Sequence, residues 1–103
     1  MREELAFAAE RYLRRSVESG YASLGGKNNF AVALTKLGKA AEAEPYAREV
    51  VAALPDEWNF RDTLAQVLRA EGKEDEAEKE LATARELAKK SGELEAFKKA
   101  VGK

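Results

Sequence analysis

Residue types that do chemistry gather at two short places in this sequence and are missing from a third. The first is Glu74-Asp75-Glu76 with Glu78 and Glu80, an acidic run whose oxygens a hard cation would accept. Consecutive helical residues point in different directions, so such a run cannot turn its carboxylates on one ion. Acids at a helix start complement the helix dipole, and the rest read as a solvated face. The second is GYASLGGK, Gly20 to Lys27, which brushes against a phosphate-cradling loop. The glycine required five residues before Gly26 is Tyr21, Asn28 replaces the required Ser or Thr, and a helix rather than a strand precedes it. Gly25 and Gly26 read instead as the loosened start of a helix. The third is an absence: with no Cys and no His, thiolate nucleophiles, thiolate or imidazole metal sites, Ser-His-Asp catalysis and disulfides have no residues to build them. The 19 acids lie in no catalytic pattern. The expectation is a protein that is not an enzyme, with no catalytic, cofactor-binding or metal residues and no cofactor.

The elements that position these side chains are helices. Two prolines, abundant Ala, Leu, Glu, Lys and Arg, and no β-branched alternation predict an all-α chain. At 103 residues and 45% hydrophobic, it has the size and apolar content of a single domain. Basic residues number 18 against 19 acidic, a net charge of -1 that gives no long-range attraction to nucleic acid or to anionic membranes. The apolar run at Leu5 to Ala9 is followed at once by Glu10-Arg11 and is too short for a signal peptide or a membrane span. A soluble, cytoplasmic protein is the expectation.

The chain repeats itself. Gly38, Lys39, Glu42, Ala43 and Glu44 return as Gly72, Lys73, Glu76, Ala77 and Glu78, 34 residues later, and Phe30-Ala31 and Leu34 return as Leu64-Ala65 and Leu68. Each unit reads as helix, turn, helix. Phe30, Ala33, Leu34 and Leu37 form one apolar stripe and Phe60, Leu64, Val67 and Leu68 its successor. Gly38 and Gly72 stop those helices, and Ala43 and Ala77 let the next helices approach closely. Pro45 restricts the helix after Gly38 to a start at Ala41 or later, and Asp56 is placed to cap the helix of Trp58. Before the repeats, Leu5, Ala9, Tyr12, Leu13 and Ser16 share a helical face. After them, Leu94, Phe97 and Val101 predict a short amphipathic helix.

These units resemble tetratricopeptide repeats on Phe30-Ala31, Gly38, Ala43 and Pro55, then Leu64-Ala65, Gly72, Ala77 and Ala84, over residues 24 to 91. The stretch NNFAVALTKLGKAAEAEPYAREV is similar to the kinesin-light-chain type of repeat. Trp58 departs from the pattern by standing three places before the usual aromatic slot, and no proline closes the second unit. The resemblance implies a right-handed antiparallel helical-hairpin solenoid: a half repeat at 1–20, full repeats at 24–57 and 58–91, and a capping helix at 92–103 that shields the last hairpin.

It also implies a concave groove. Helical phase turns Asn28, Val32 and Thr35 away from the apolar stripe, beside Asn29 and Lys36, and in the second unit Asn59, Asp62, Gln66 and Arg69. Positions of this kind line the groove in the resembled family, where amides and a carboxylate would hydrogen-bond a peptide or helix. The basic clamp that some members use for a C-terminal carboxylate is not expected, since Asn28 and Val32 occupy its first positions. The expected function is a protein-protein interaction scaffold binding a peptide or helix through Asn28, Asn29, Val32, Asn59, Asp62, Gln66 and Arg69. The alternative is a self-associating structural module, a homo-oligomer or part of a longer protein, using Phe7, which the phase of the first helix sets among Glu3, Glu10, Arg14 and Glu18.

Overall fold

The computed structural model describes residues 2–102. Six helices run through it: α1 (Glu3–Glu18), α2 (Leu24–Lys36), α3 (Ala40–Ala53), α4 (Trp58–Ala70), α5 (Glu74–Lys90) and α6 (Leu94–Val101). No strand occurs among the described residues.

Sequence periodicity becomes geometry at the turns. α2 and α4 end at Gly38 and Gly72, with φ of +79° and +80°, a left-handed conformation that costs a side-chain-bearing residue about 1 to 2 kcal/mol. In each turn the next amide reaches back over the glycine, Lys39 N to the Leu34 carbonyl and Lys73 N to the Leu68 carbonyl, both at 2.8 Å. The same bond closes α1 and α5, from Tyr21 to Ser16 and from Glu93 to Ala88. α3 leaves without a glycine, through Leu54-Pro55-Asp56-Glu57.

Two local expectations are corrected. α3 begins at Ala40, so Pro45 lies more than a turn inside it. The missing N–H strands the Ala41 carbonyl, but Ala41 and Pro45 are both exposed and water can satisfy it. Asp56 does not cap α4: the residue before Trp58 is Glu57, with extended dihedrals and no side-chain bond to the helix.

The core runs between the hairpins. Phe30, Leu34, Leu64, Val67 and Leu68 are buried with Ala31, Ala40, Ala43, Ala47, Ala65 and Ala77, and the Phe30 ring meets Tyr46 edge-on at 5.2 Å. Leu81 is half-buried and lies between this cluster and a second one of Ala84, Ala88 and Phe97. Trp58 explains its shifted position here. Its ring meets Phe97 edge-on at 5.8 Å and its Nε1 donates to Glu93 at 3.3 Å, so it serves as the post on which α6 docks.

α1 is rotated from its expected phase. Its inward face is Ala6, Glu10, Leu13 and Val17, while Leu5 and Tyr12 are exposed. The acid Glu10 turns inward because the Arg14 guanidinium and the Lys39 ammonium meet it, each at 3.0 Å. Those two cations, Arg14 first, hold its carboxyl below the usual range.

Helix neighbours divide into two rows. Successive helices pack along the chain, and in addition α2 packs on α4 and α4 on α6, whereas α1, α3 and α5 do not touch one another's backbones closely. A row in contact beside a row held apart curves the array, with α2, α4 and α6 on the concave side. The outer row is bridged by long side chains instead. Lys39 reaches from the α2–α3 turn to Glu10, and Arg14 joins Glu10 to Glu42 at 2.7 Å. One period on, Lys73 reaches Glu44 at 2.9 Å and Arg48 joins Glu44 to Glu76 at 2.9 Å. Each of the four residues in the second strut stands 34 positions after its counterpart in the first.

Candidate functional site: the concave face

The inner row carries the predicted strip. Asn29, Asn59, Gln66 and Arg69 are exposed, and Asn28 and Val32 are half-buried. Asp62 departs from the expectation of an exposed carboxylate: it is 8% exposed. The structure draws part of the strip into one cleft of about 300 Å³, where Asp62, Gln66 and Arg69 of α4 meet Lys36 of α2, Leu81 of α5 and Ala100 and Val101 of α6. Asn28, Asn29, Val32 and Asn59 lie outside its lining.

On the floor a buried carboxylate meets a single donor. The Gln66 Nε2 donates to Asp62 at 3.2 Å, and no Lys or Arg nitrogen among the described residues lies within 4.0 Å of that carboxylate. Burial pushes the Asp62 carboxyl up from its ordinary value, with the Gln66 bond and the charge of Arg69 opposing. Arg69 itself is drawn outward by Glu74 at 3.3 Å and Glu78 at 3.0 Å. Asn28, one period before Asp62, has its Oδ1 buried without a hydrogen-bond partner among the described residues. Thr35 spends its hydroxyl on its own helix, donating to the Ala31 carbonyl at 2.8 Å.

The other chemical candidates disperse. Glu74 and Glu78 go to Arg69, Glu76 to Arg48 and Glu80 to Arg61 at 3.1 Å, so four acids of the cluster meet three guanidiniums and converge on no ion. Among the described residues no group of three or more Asp or Glu is placed to hold a metal. In the Gly20 to Lys27 stretch, Ser23 caps α2 by accepting from the Gly26 amide at 3.0 Å, and Lys27 pairs with Glu49. Gly25 and Gly26 are the first turn of a helix.

Sequence reasoning set Lys36 beside the strip without assigning it a part in binding, and missed the part of α6. The Ala100 and Val101 wall was foreshadowed only by the apolar spacing of Leu94, Phe97 and Val101. Phe7 is exposed as expected, but Leu5 and Tyr12 stand exposed on the same helix. No helix among the described residues is long and apolar enough to cross a membrane.

No curated protein matches the chain. The family model described as tetratricopeptide repeat matches residues 34–101, two thirds of the chain, from the end of α2 into α6. Repeats of this kind generally mediate protein-protein interactions and are typically non-catalytic. With its paired helices, glycine-stopped turns and matched span, the chain belongs to the tetratricopeptide-repeat family.

Proposed function

We propose that this protein is an interaction scaffold that holds an extended or helical polypeptide segment along α2, α4 and α6. The observation that carries the reading is a pair of under-used polar side chains one period apart on the inner row: Asn28, whose Oδ1 has no partner among the described residues, and Asp62, 8% exposed with only the Gln66 amide on its carboxylate. Around them Asn29, Asn59, Gln66 and Arg69 offer hydrogen bonds, and Val32 a small apolar contact. The runs Asn28-Asn29 and Glu42-Ala43-Glu44-Pro45 support a repeat of the kinesin-light-chain type as part of this reading. A cytoplasmic setting belongs to the reading, on the lack of cysteine alone.

A peptide-display selection on the full chain tests it. Changing Asn59 and Gln66 together to Ala removes exposed side chains, leaves the core untouched and is expected to weaken the selected peptides by about 1 to 3 kcal/mol. Equal binding of those peptides by parent and double variant would end the groove reading.

A second reading, self-association, is favoured by Leu5, Phe7 and Tyr12, exposed at 57%, 55% and 77% on α1. Light scattering across concentration examines it. A dimer that Phe7→Ser disperses would establish this surface, and a monomer at every concentration would remove it.

A further inference from the structure

Asp62 is over nine-tenths buried, yet among the described residues its only hydrogen-bond partner is the amide of Gln66. An ionised carboxylate offers about four acceptor positions, and buried charges are normally paired. The nearby cations do not fill the gap. Arg69 is tied to Glu74 and Glu78. Lys36, across the cleft on α2, makes no ion pair of its own among the described residues and none with Asp62.

Beside this acid the cleft has an apolar side, Ala65, Leu81, Ala100 and Val101, and a polar side of Lys36, Gln66 and Arg69. An anionic group entering here would find Lys36 in the lining but would face the Asp62 charge on the floor. A purely apolar group would leave the carboxylate desolvated and still unpaired, which is penalised more than an unmade bond. A cation at the end of a flexible methylene stem satisfies both parts, with its head on the acid and its stem along the hydrocarbon. The position one period earlier is Asn28, which is neutral, so only the second repeat presents a carboxylate at this position, which gives a basic side chain one preferred place along the groove.

We propose that the cleft between α4, α5 and α6 receives one Lys or Arg side chain of the bound segment, its cation on Asp62 and its stem along Leu81 and Val101. This rests on the groove reading above. It narrows the partner to segments with a basic residue at one fixed place.

The probes are two blocked tripeptides of equal shape, acetyl-Ala-Arg-Ala-amide and its citrulline analogue, titrated into the full chain and followed by amide NMR. The arginine peptide is expected to shift the signals of residues 62–66 and 100–101 and to half-saturate at a concentration lower by on the order of tenfold, the ordinary advantage of a charge-assisted bond. Asp62→Asn, isosteric and uncharged, is expected to abolish that advantage. Should the variant fail to fold, the parent suffices: the Asp62 side-chain carboxyl signal is expected to titrate at lower pH with the arginine peptide and unchanged with citrulline.

Equal titration by both peptides, or an arginine preference that survives in Asp62→Asn, overturns the proposal. So does arginine binding that appears only in Lys36→Gln, since Lys36 would then be the natural partner of Asp62. Display-selected peptides that bind Asp62→Asn as well as the parent but lose affinity for the Asn59 and Gln66 double variant would sink the basic pocket alone and leave the groove standing.

Discussion

Leu68→Ala tests whether the two hairpins share one core. Leu68 is 1% exposed, belongs to the core cluster on α4, a helix that packs against both α2 and α5, and gives its carbonyl to the turn bond of Lys73. Removing three carbons at about 0.8 kcal/mol each forfeits roughly 2.4 kcal/mol of burial. The neighbours cannot all close in, because Leu34, Leu64 and Val67 are themselves held on helices, so the remaining cavity raises the loss to about 3 to 5 kcal/mol. Against a total of about 5 to 15 kcal/mol for a domain, that is a large share. At roughly 4 °C or more per kcal/mol, the melting point should fall by about 12 °C at least. The control is Leu54→Ala, 41% exposed at the end of α3, expected to lose less than about 1 kcal/mol. Urea titrations followed by circular dichroism give both values. A Leu68 variant that loses no more than the Leu54 variant, at unchanged denaturant slope, would show that the assigned core is not what holds the hairpins together.

Further expectations concern charge and backbone. Glu44 is pushed down to about 2, first by accepting, in the acid range, from the protonated Glu71 carboxyl and then by Arg48 and Lys73. A depressed folded-state pKa stabilises above the ordinary value of 4.5, and that contribution disappears as pH falls from there toward 2. Glu44→Gln should therefore be less stable at pH 7 and show a flatter acid limb, and curves that run parallel to the parent's would refute the strut's role. Glu71 is shifted the other way, upward, by burial and then by Glu44, which counts against stability at neutral pH. Glu71→Gln should be at least as stable as the parent at pH 7 by urea midpoint, and a clear loss would contradict the assignment. Gly72→Ala meets no atom within 4 Å of the new Cβ, so its whole cost is the left-handed backbone, about 1 to 2 kcal/mol by thermal melt.

What was legible in the sequence was local or periodic. Gly38 and Gly72 announced the turns because a left-handed stop asks for glycine whatever surrounds it. Ala43 and Ala77 announced close helix packing because both are small at the same phase. The misreadings arise where a distant partner decides. The phase of α1 was read from its apolar residues, but Glu10 is buried on account of Lys39, 29 residues away. Trp58 looked like a departure from the pattern until Glu93, 35 residues on, and Phe97 supplied its partners. Asp62 was read as exposed because helical phase turned it from the core, and phase is blind to α6, whose Ala100 and Val101 raise a wall beside it. Pro45 was judged by helix rules alone, without the exposure that lets water stand in for a missing donor.

The struts of the outer row bear on how such a chain can change. Because Glu10, Arg14, Lys39 and Glu42 are reproduced as Glu44, Arg48, Lys73 and Glu76, the junction before the first hairpin and the junction before the second use the same groups in the same order. A copying slip that duplicates residues 40–73 in frame would face the first copy's Glu44, Arg48 and Lys73 with the second copy's Glu42, and the second copy's Glu44, Arg48 and Lys73 with Glu76. The inserted unit would arrive with its fastenings already cut to fit, so lengthening by whole units requires no further mutation at the seams, whereas an insertion of any other length would misalign every fastening after it.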